Sequence, residues 1–231
     1  MSVLLTSGVM PSSSKKASDY AVGESVFLNV NGFKKEFRVV SQGLPSSMYD
    51  SSCNGTWLLM KDVYEKRAFD TNNNDYKNSD IHTYLNGTFF NLFDSNVQSK
   101  ILQVKIPYVN GTGSSGSVAS GSSGLSTKVF LLSGYEVGWT TGTHSYFPVD
   151  GACLDYFNGT STTDTKRIAY LNSSATVWWL RSAQKNGSTV VWTSYSSGGN
   201  GSSNVTTSLG VRPALIIPST TRFDPDTNTI L

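Results

Sequence analysis

Charge is scarce in this chain. Asp, Glu, Lys and Arg together make up 15% of its 231 residues, against about a quarter in an ordinary soluble protein. The few charges nearly cancel, to a net +2 at neutral pH. Such a balance produces no field that gathers nucleic acid or an anionic membrane. Cysteine and histidine are also rare, at two residues each. Cys53 and Cys153 share no motif, lie in loop-like surroundings (SSCNG and DGACLDY) and read as unpaired thiols rather than a disulfide. Two lone cysteines and two lone histidines, His82 and His144, do not make a metal set, so no metal and no cofactor is expected. Long apolar runs are missing too. The longest, such as ALIIP and VFLL, have strand length and cannot span a bilayer as helices. The opening MSVLLTSGVMPSSSKK has neither the basic start nor the apolar length of a secretory signal. The sequence has no GxSxG nucleophile elbow and no GxxxxGK[ST] phosphate loop. The chain therefore does not read as an enzyme, and His82 and His144 read as structural or solvent-facing.

Ser, Thr, Asn and Gly fill the space that charge leaves. Aromatic residues, at 12%, and hydrophobic residues, at 38%, are enough for a packed core. The composition is that of secreted, viral and adhesive β-rich proteins. Asn-x-Ser/Thr triplets recur at Asn54, Asn86, Asn110, Asn158 and Asn200, as chance provides in a chain so rich in these residues.

Along the chain, residues 1–19 read as an N-terminal arm or attachment segment and residues 20–231 as one domain. ESVFLNVNGFKKEFRVVSQG has two strand-like flanks around an Asn-Gly turn, which predicts a β-hairpin. TWLLMKDVY predicts a further strand. NSDIHTYLNGTFFNLFDSNVQSKI is the clear helical region. Ser79 is a good N-cap, with Asp80 in the first turn. Ile81, Tyr84 and Leu85 share a face, and Asn86-Gly87 is expected to end the helix. Ser95 with Gln98 has the pattern of a capping box for a second short helix. Residues 111–127, GTGSSGSVASGSSGLST, form a low-complexity stretch that reads as a long Gly/Ser-rich loop or a partly ordered insert. Asp62, Glu65, Asp70, Asp75 and Asp80 read as a solvated acidic loop. DPDTN in the tail has the odd-position oxygens of a calcium loop but lacks the glycine and distal glutamate. A Pro-containing Asx turn, with Asp224 as its acceptor, is the stronger reading. Helices come early and together, and short strands come late, which argues for an α+β fold.

One stretch stands apart. WWLRS in front and GVRPALII behind enclose a soft run of Ser, Thr, Asn and Gly interrupted by VVWTSY. Trp178, Trp179 and Leu180 read as a buried strand, and Arg181, inside it, must be paired because a buried guanidinium cannot stand alone. Arg212-Pro213 breaks the second frame strand, since proline removes a ladder bond. Residues 177–182, 190–196 and 210–217 are expected to be strands of one sheet. Trp179, Trp192, Phe90 and Leu131 are expected in the core. With Trp192 inward, strand alternation puts Val191, Thr193, Tyr195 and Ser197 outward. These residues, with the flanking stretches 184–189 and 200–207, predict one exposed polar patch: Gln184, Lys185, Asn186, Ser188, Val191, Thr193, Tyr195, Ser197, Asn200, Ser202, Asn204 and Thr206. Tyr195 is its expected anchor, and residues 140–146 are a candidate rim.

The pairing WWLRS…GVRPALIIP, preceded by VFLLSGYEVG and YFPVDG and, further upstream, by GTWLLMKDVYEKRAF, resembles an uncharacterised domain family of gut Firmicutes and their prophages. The resemblance covers roughly residue 20 to the end. That family looks like the C-type lectin fold in its formylglycine-generating-enzyme-like branch, which includes the variable proteins of diversity-generating retroelements and phage receptor-binding proteins. The implied fold is short helices packed on a small twisted antiparallel sheet. The implied function is a ligand- or receptor-binding adhesin, with the apolar frame holding a polar surface whose residues the fold does not need. The implied partners are a cell-surface protein or glycan of a bacterial host, and other virion proteins through the N-terminal arm, with a homo-oligomer such as a trimer compatible. The implied location is the virion, or the bacterial surface for a prophage product. The alternative is a structural virion component, a decoration or baseplate protein, without varied specificity. The cysteine pair of the catalytic members has no counterpart here, and the Glu-Pro-Asn and Trp-Asn-Asp motifs of calcium-dependent sugar binding are absent.

Overall fold

A computed structural model describes residues 14–161 and 163–231. The expected arm, residues 1–19, therefore lies mostly outside the described residues. Its described part is laid against the fold: Lys15–Lys16 pairs antiparallel with Arg222–Phe223, and Ala17 is buried.

Ten strands form two five-stranded sheets. In chain order they are β1 (Ser25–Val30), β2 (Phe33–Gly43), β3 (Gly55–Met60), β4 (Glu65–Arg67), β5 (Val129–Phe130), β6 (Trp178–Ala183), β7 (Val190–Ser194), β8 (Asn200–Asn204), β9 (Leu209–Val211) and β10 (Ala214–Ile217). The first sheet has the order β5-β10-β3-β2-β1 and is antiparallel throughout; the second has the order β8-β7-β6-β9-β4, with β6 and β9 parallel. With only short helices beside them, the fold is α+β, as the sequence predicts.

The β1–β2 hairpin forms where Asn31-Gly32 predicts it. Both turn residues have positive φ, 52° and 75°, which matches the right-handed twist of the flanking strands. In β3 and β10 all residues are buried, because these central strands are covered on both faces.

The expectation of a single sheet for the frame is half right. Strands β6, β7 and β9 share the second sheet, but Ala214–Ile217 belongs to the first. The physical reason is Arg212-Pro213. β3 and β10 run antiparallel in the first sheet, and both chains then cross together into the second, where β4 pairs with β9. Pro213 cannot donate to a ladder, so the crossing falls at that residue. The Arg212 side chain takes up the carbonyls exposed at the bend, donating from Nε to Met60 O and from Nη2 to Lys61 O, each at 2.9 Å.

The helical region ties the sheets together. Helix α1 (Asp80–Tyr84) is capped by Ser79, whose Oγ accepts from His82 N at 3.2 Å. Asn86-Gly87 does not end it. The coil continues as a π-helical turn through Leu85–Phe89 and a 3-10 turn through Phe90–Leu92, because the Asn86 side chain is itself tied down. Its amide donates to His82 O and Val129 O, and its Oδ1 accepts from Lys128 N at 2.9 Å. Helix α2 (Ser95–Lys100) begins one residue earlier than Ser95–Gln98 suggests. Asp94 is the cap, accepting from Val97 N, while Gln98 reaches back to Phe93 O. Phe93 packs toward Phe37 of the first sheet, and Phe69, just upstream, meets Trp179 of the second at 5.6 Å.

Two further readings are decided by the structure. Residues 111–127 are the partly ordered insert rather than a free loop. Tyr108–Asn110 pairs with Ser117–Ala119, and Leu125–Thr127 pairs with Val104–Ile106, so small residues here allow tight turns in an ordered ribbon. The acidic series is not merely solvated either. Asp70 is buried and accepts backbone N–H bonds from Asn72, Asn73 and Asp80, which hold its carboxyl below the usual range although its burial pushes the other way. In the core, Trp179, Trp192 and Leu131 are buried as expected, while Phe90 is half-buried. Cys53 is buried and Cys153 exposed, both as free thiols. Asp224 Oδ1 accepts from Asp226 N and Thr227 N in the expected Asx turn.

Candidate functional site

The framed stretch rests on a buried polar scaffold. Arg181 pairs with Glu136 in a two-pronged bridge, Nη1–Oε2 at 2.5 Å and Nη2–Oε1 at 2.7 Å, with both side chains fully buried. Its remaining donors reach Pro107 O, Leu131 O and Asp150 O. Glu136 also accepts from Tyr49 Oη at 2.8 Å and Ser133 N at 2.9 Å. Burial alone would lower the Arg181 pKa, but Glu136 and Asp150 outweigh it and hold the guanidinium charged. The sequence requires a partner for Arg181 but does not reveal which one, because Glu136 is far away in the chain.

Asp150 completes the cluster. Its carboxyl accepts from Ser182 Oγ at 2.8 Å, and Ser182 Oγ in turn accepts from Gly134 N. Burial pushes its pKa up to about 6, against the pull of Arg181 and the Ser182 hydroxyl. With Asp150 protonated, Arg181 and Glu136 balance; with it ionised, the cluster carries one excess negative charge in a dry site.

A second clamp holds the turn between β6 and β7. Asn74, fully buried, donates to Gly187 O at 2.7 Å, Val190 O at 2.8 Å and Gln184 O at 3.3 Å, and its Oδ1 accepts from Gly113 N. Its own N–H donates to Ser188 O. One amide thus fixes the backbone of residues 184–190 while leaving their side chains free. Sequence reasoning missed it; the Asn run TNNND was its only signal.

The predicted patch divides. Lys185, Asn186, Ser188, Tyr195, Ser197, Asn204 and Thr206 are exposed, and Gln184, Asn200 and Ser202 are half-exposed. Val191 and Thr193 are fully buried, which corrects the outward placement. Alternation exposes one set of side chains only when one face of a sheet is bare, and here both are covered. On the Thr193 face, Thr193 pairs with Trp179, which packs on Phe69. On the other face, Trp192 stacks on Phe147 at 3.9 Å and meets His144 edge-on at 4.9 Å.

Residues 200–204 are also not a loop at the strand's end. They form β8, the edge strand, with Ser202 opposite Trp192 and Gly201 opposite Thr193. Asn200, Ser202 and Asn204 therefore share the Trp192 face, with the rim of residues 140–146, whose Tyr146 is exposed and accepts from Trp192 Nε1 at 3.4 Å. Tyr195, the expected anchor, lies on the other face with its ring folded over Gly201, one side spent on backbone and 46% exposed. What the fold brings together is a polar edge: β8, the 184–189 turn and the 140–146 rim above a buried aromatic stack.

Both histidines are engaged in aromatic contacts. His82 lies against Tyr76 at 5.1 Å, with burial lowering its pKa, and His144 is part of the aromatic rim. Among the described residues no group of three or more His, Cys, Asp or Glu side chains is arranged to hold a metal, and no helix is long and apolar enough to cross a membrane.

A comparison with known families finds one match, "Domain of unknown function (DUF6273)", over residues 54–219. The match begins just before β3 and ends just after β10, so it holds the buried arginine cluster and the whole polar edge. Comparisons with curated proteins and with solved structures find no match. Since the matched region is well over half of the chain, the protein belongs to the DUF6273 family.

Proposed function

We propose that this protein is a ligand-binding module, a receptor-binding protein of phage or prophage type, on a scaffold of the C-type-lectin kind. The observation that carries the reading is the separation of frame from display. Frame residues Trp178, Trp179, Arg181 and Trp192 are buried and fully engaged. Asn74 holds the adjoining turn through its carbonyls alone, so the side chains at Gln184, Lys185, Asn186 and Ser188 are not needed for its shape. Asn200, Ser202 and Asn204 extend the same polar edge along β8, and Tyr146 supplies an exposed aromatic contact. Small polar side chains beside an aromatic residue make adaptable hydrogen bonds at low entropic cost, which suits a surface whose sequence varies. The partner on this reading is a protein or glycan of a bacterial surface.

The test is a compound variant, Lys185→Ala, Asn186→Ala, Ser202→Ala, Asn204→Ala and Tyr146→Ala, assayed for attachment to intact gut Firmicutes cells that the parent protein binds. The expected result is lost attachment with a melting temperature within a few degrees of the parent, since exposed positions usually shift stability by under about 0.5 kcal/mol each. Undiminished attachment by the folded variant refutes the reading.

A further inference from the structure

Three arginines are buried among the described residues, and two of them, Arg167 and Arg212, have no carboxylate within ion-pair distance. Arg181 has Glu136. Arg167 is used up by Val137 O, Ser161 O and Thr160 Oγ1 and lies 4.6 Å over the Trp139 ring. Arg212 is 2% exposed. It donates to two carbonyls at the sheet crossing and lies 4.8 Å over the Trp178 ring, but its Nη1 has no partner among the described residues. No carboxylate among those residues lies within ion-pair distance of it. Burial pushes its pKa down, to about 10, so it is still cationic at neutral pH.

Arg212 lines an open cleft of about 360 Å³ at the junction of the two sheets. The cleft's other charged walls are Arg38, Lys61 and Lys166, against Asp62 alone. Asp62 is partly engaged, accepting from Tyr170 N at 3.0 Å. Glu36, outside the lining, bonds Lys61 at 2.7 Å and lies 3.8 Å from Arg38. Lys166 has no carboxylate partner among the described residues; its ammonium lies 5.3 Å from the Tyr156 ring, which Arg38 approaches at 5.5 Å. Four cations thus line the cleft against two nearby carboxylates, Asp62 and Glu36, and its concave wall concentrates the excess positive potential. A buried cation with a free donor is a costly arrangement that a bound anion relieves. Guanidinium forks match tetrahedral oxyanions, and a cleft of a few hundred Å³ is of small-ligand size.

We propose that this cleft binds a tetrahedral oxyanion, the phosphate or sulfate group of an ester, with Arg212 as its fixed floor and Arg38, Lys61 and Lys166 as its walls. The site is separate from the polar edge and does not depend on the reading given for that edge.

The test is calorimetric titration of the full chain with inorganic phosphate at constant ionic strength, with chloride as the reference salt, alongside thermal melts. Saturable binding and a rise in melting temperature with phosphate but not chloride are expected. Lys166→Glu, at a half-buried wall position, is expected to weaken binding at least tenfold, and Arg38→Gln several-fold. Arg212→Lys keeps the charge but loses the fork and is expected to weaken binding as well; if it fails to fold, the two wall variants still decide. Equal effects of phosphate and chloride overturn the proposal, as does phosphate binding that is unchanged in the Lys166→Glu, Arg38→Gln double variant. Glucose 6-phosphate and glucose 6-sulfate separate the sources. Tighter binding of one assigns that ester class, and binding of neither overturns the site.

Discussion

Replacing Asp150 by Asn isolates the proton held in the buried cluster. Asn keeps the size and the oxygen that accepts from Ser182 Oγ, but it cannot ionise. In the folded chain the Asp150 pKa is about 6, against 3.8 for the free side chain. A folded-state pKa above the unfolded value means that the folded state binds this proton more tightly. The stabilisation is therefore complete below about pH 4 and is lost as pH rises through 6. At about 1.4 kcal/mol per pH unit, the interval from 3.8 to about 6 amounts to about 3 kcal/mol. Other carboxyls act with the opposite sign at the acid end of the range: Glu36 and Asp70 are lowered from 4.5 and 3.8, and each adds stability as pH rises toward that unfolded value. The measurement is therefore a difference. Urea unfolding of parent and Asp150→Asn is followed from pH 3.5 to pH 7.5, and the variant's free energy is subtracted from the parent's at each pH. The difference is expected to fall by about 3 kcal/mol across the range and then level off. A flat difference refutes the buried-proton argument. A rising one shows that attraction to Arg181 outweighs burial, so that Asp150 is ionised when folded.

Asn74→Ala removes the donors to three carbonyls around the 184–190 turn and the acceptor for Gly113 N. A loss of about 3 kcal/mol is expected from buried groups left unpaired, with faster amide exchange at residues 184–190; unchanged exchange refutes the clamp. Gly32 and Gly198 have similar φ, +75° and +80°, but a Cβ at Gly32 meets nothing while one at Gly198 collides with the Asp164 carbonyl oxygen. Gly32→Ala is expected to cost about 1–2 kcal/mol for the left-handed conformation alone, and Gly198→Ala at least twice as much in urea melts. Equal costs refute the role given to the close approach. Trp179→Ala, which empties a fully buried site against Phe69, is expected to cost about 3–5 kcal/mol, and an unchanged melting curve refutes its place in the core.

The local features that the sequence determined by itself are those whose cause lies within a few residues. Asn31-Gly32 set the first hairpin, because such a pair readily takes two positive φ values in succession. Ser79 capped its helix, Asp224 formed its Asx turn, and Trp178-Trp179-Leu180 formed a buried strand. The sequence also required a partner for Arg181, since a buried guanidinium cannot stay unpaired. Only the tertiary structure decided that the partner is Glu136, that one Asn holds the display turn, and that Arg212-Pro213 carries the chain from one sheet to the other. It also decided which face of β7 is covered. Alternation separates Trp192 from Val191 and Thr193 whatever the surroundings, but their exposure depends on what distant segments lay over each side. Phe147 and His144 covered one face, and Trp179 with Phe69 closed the other. Those contacts join residues tens of positions apart, and no short-range pattern encodes them.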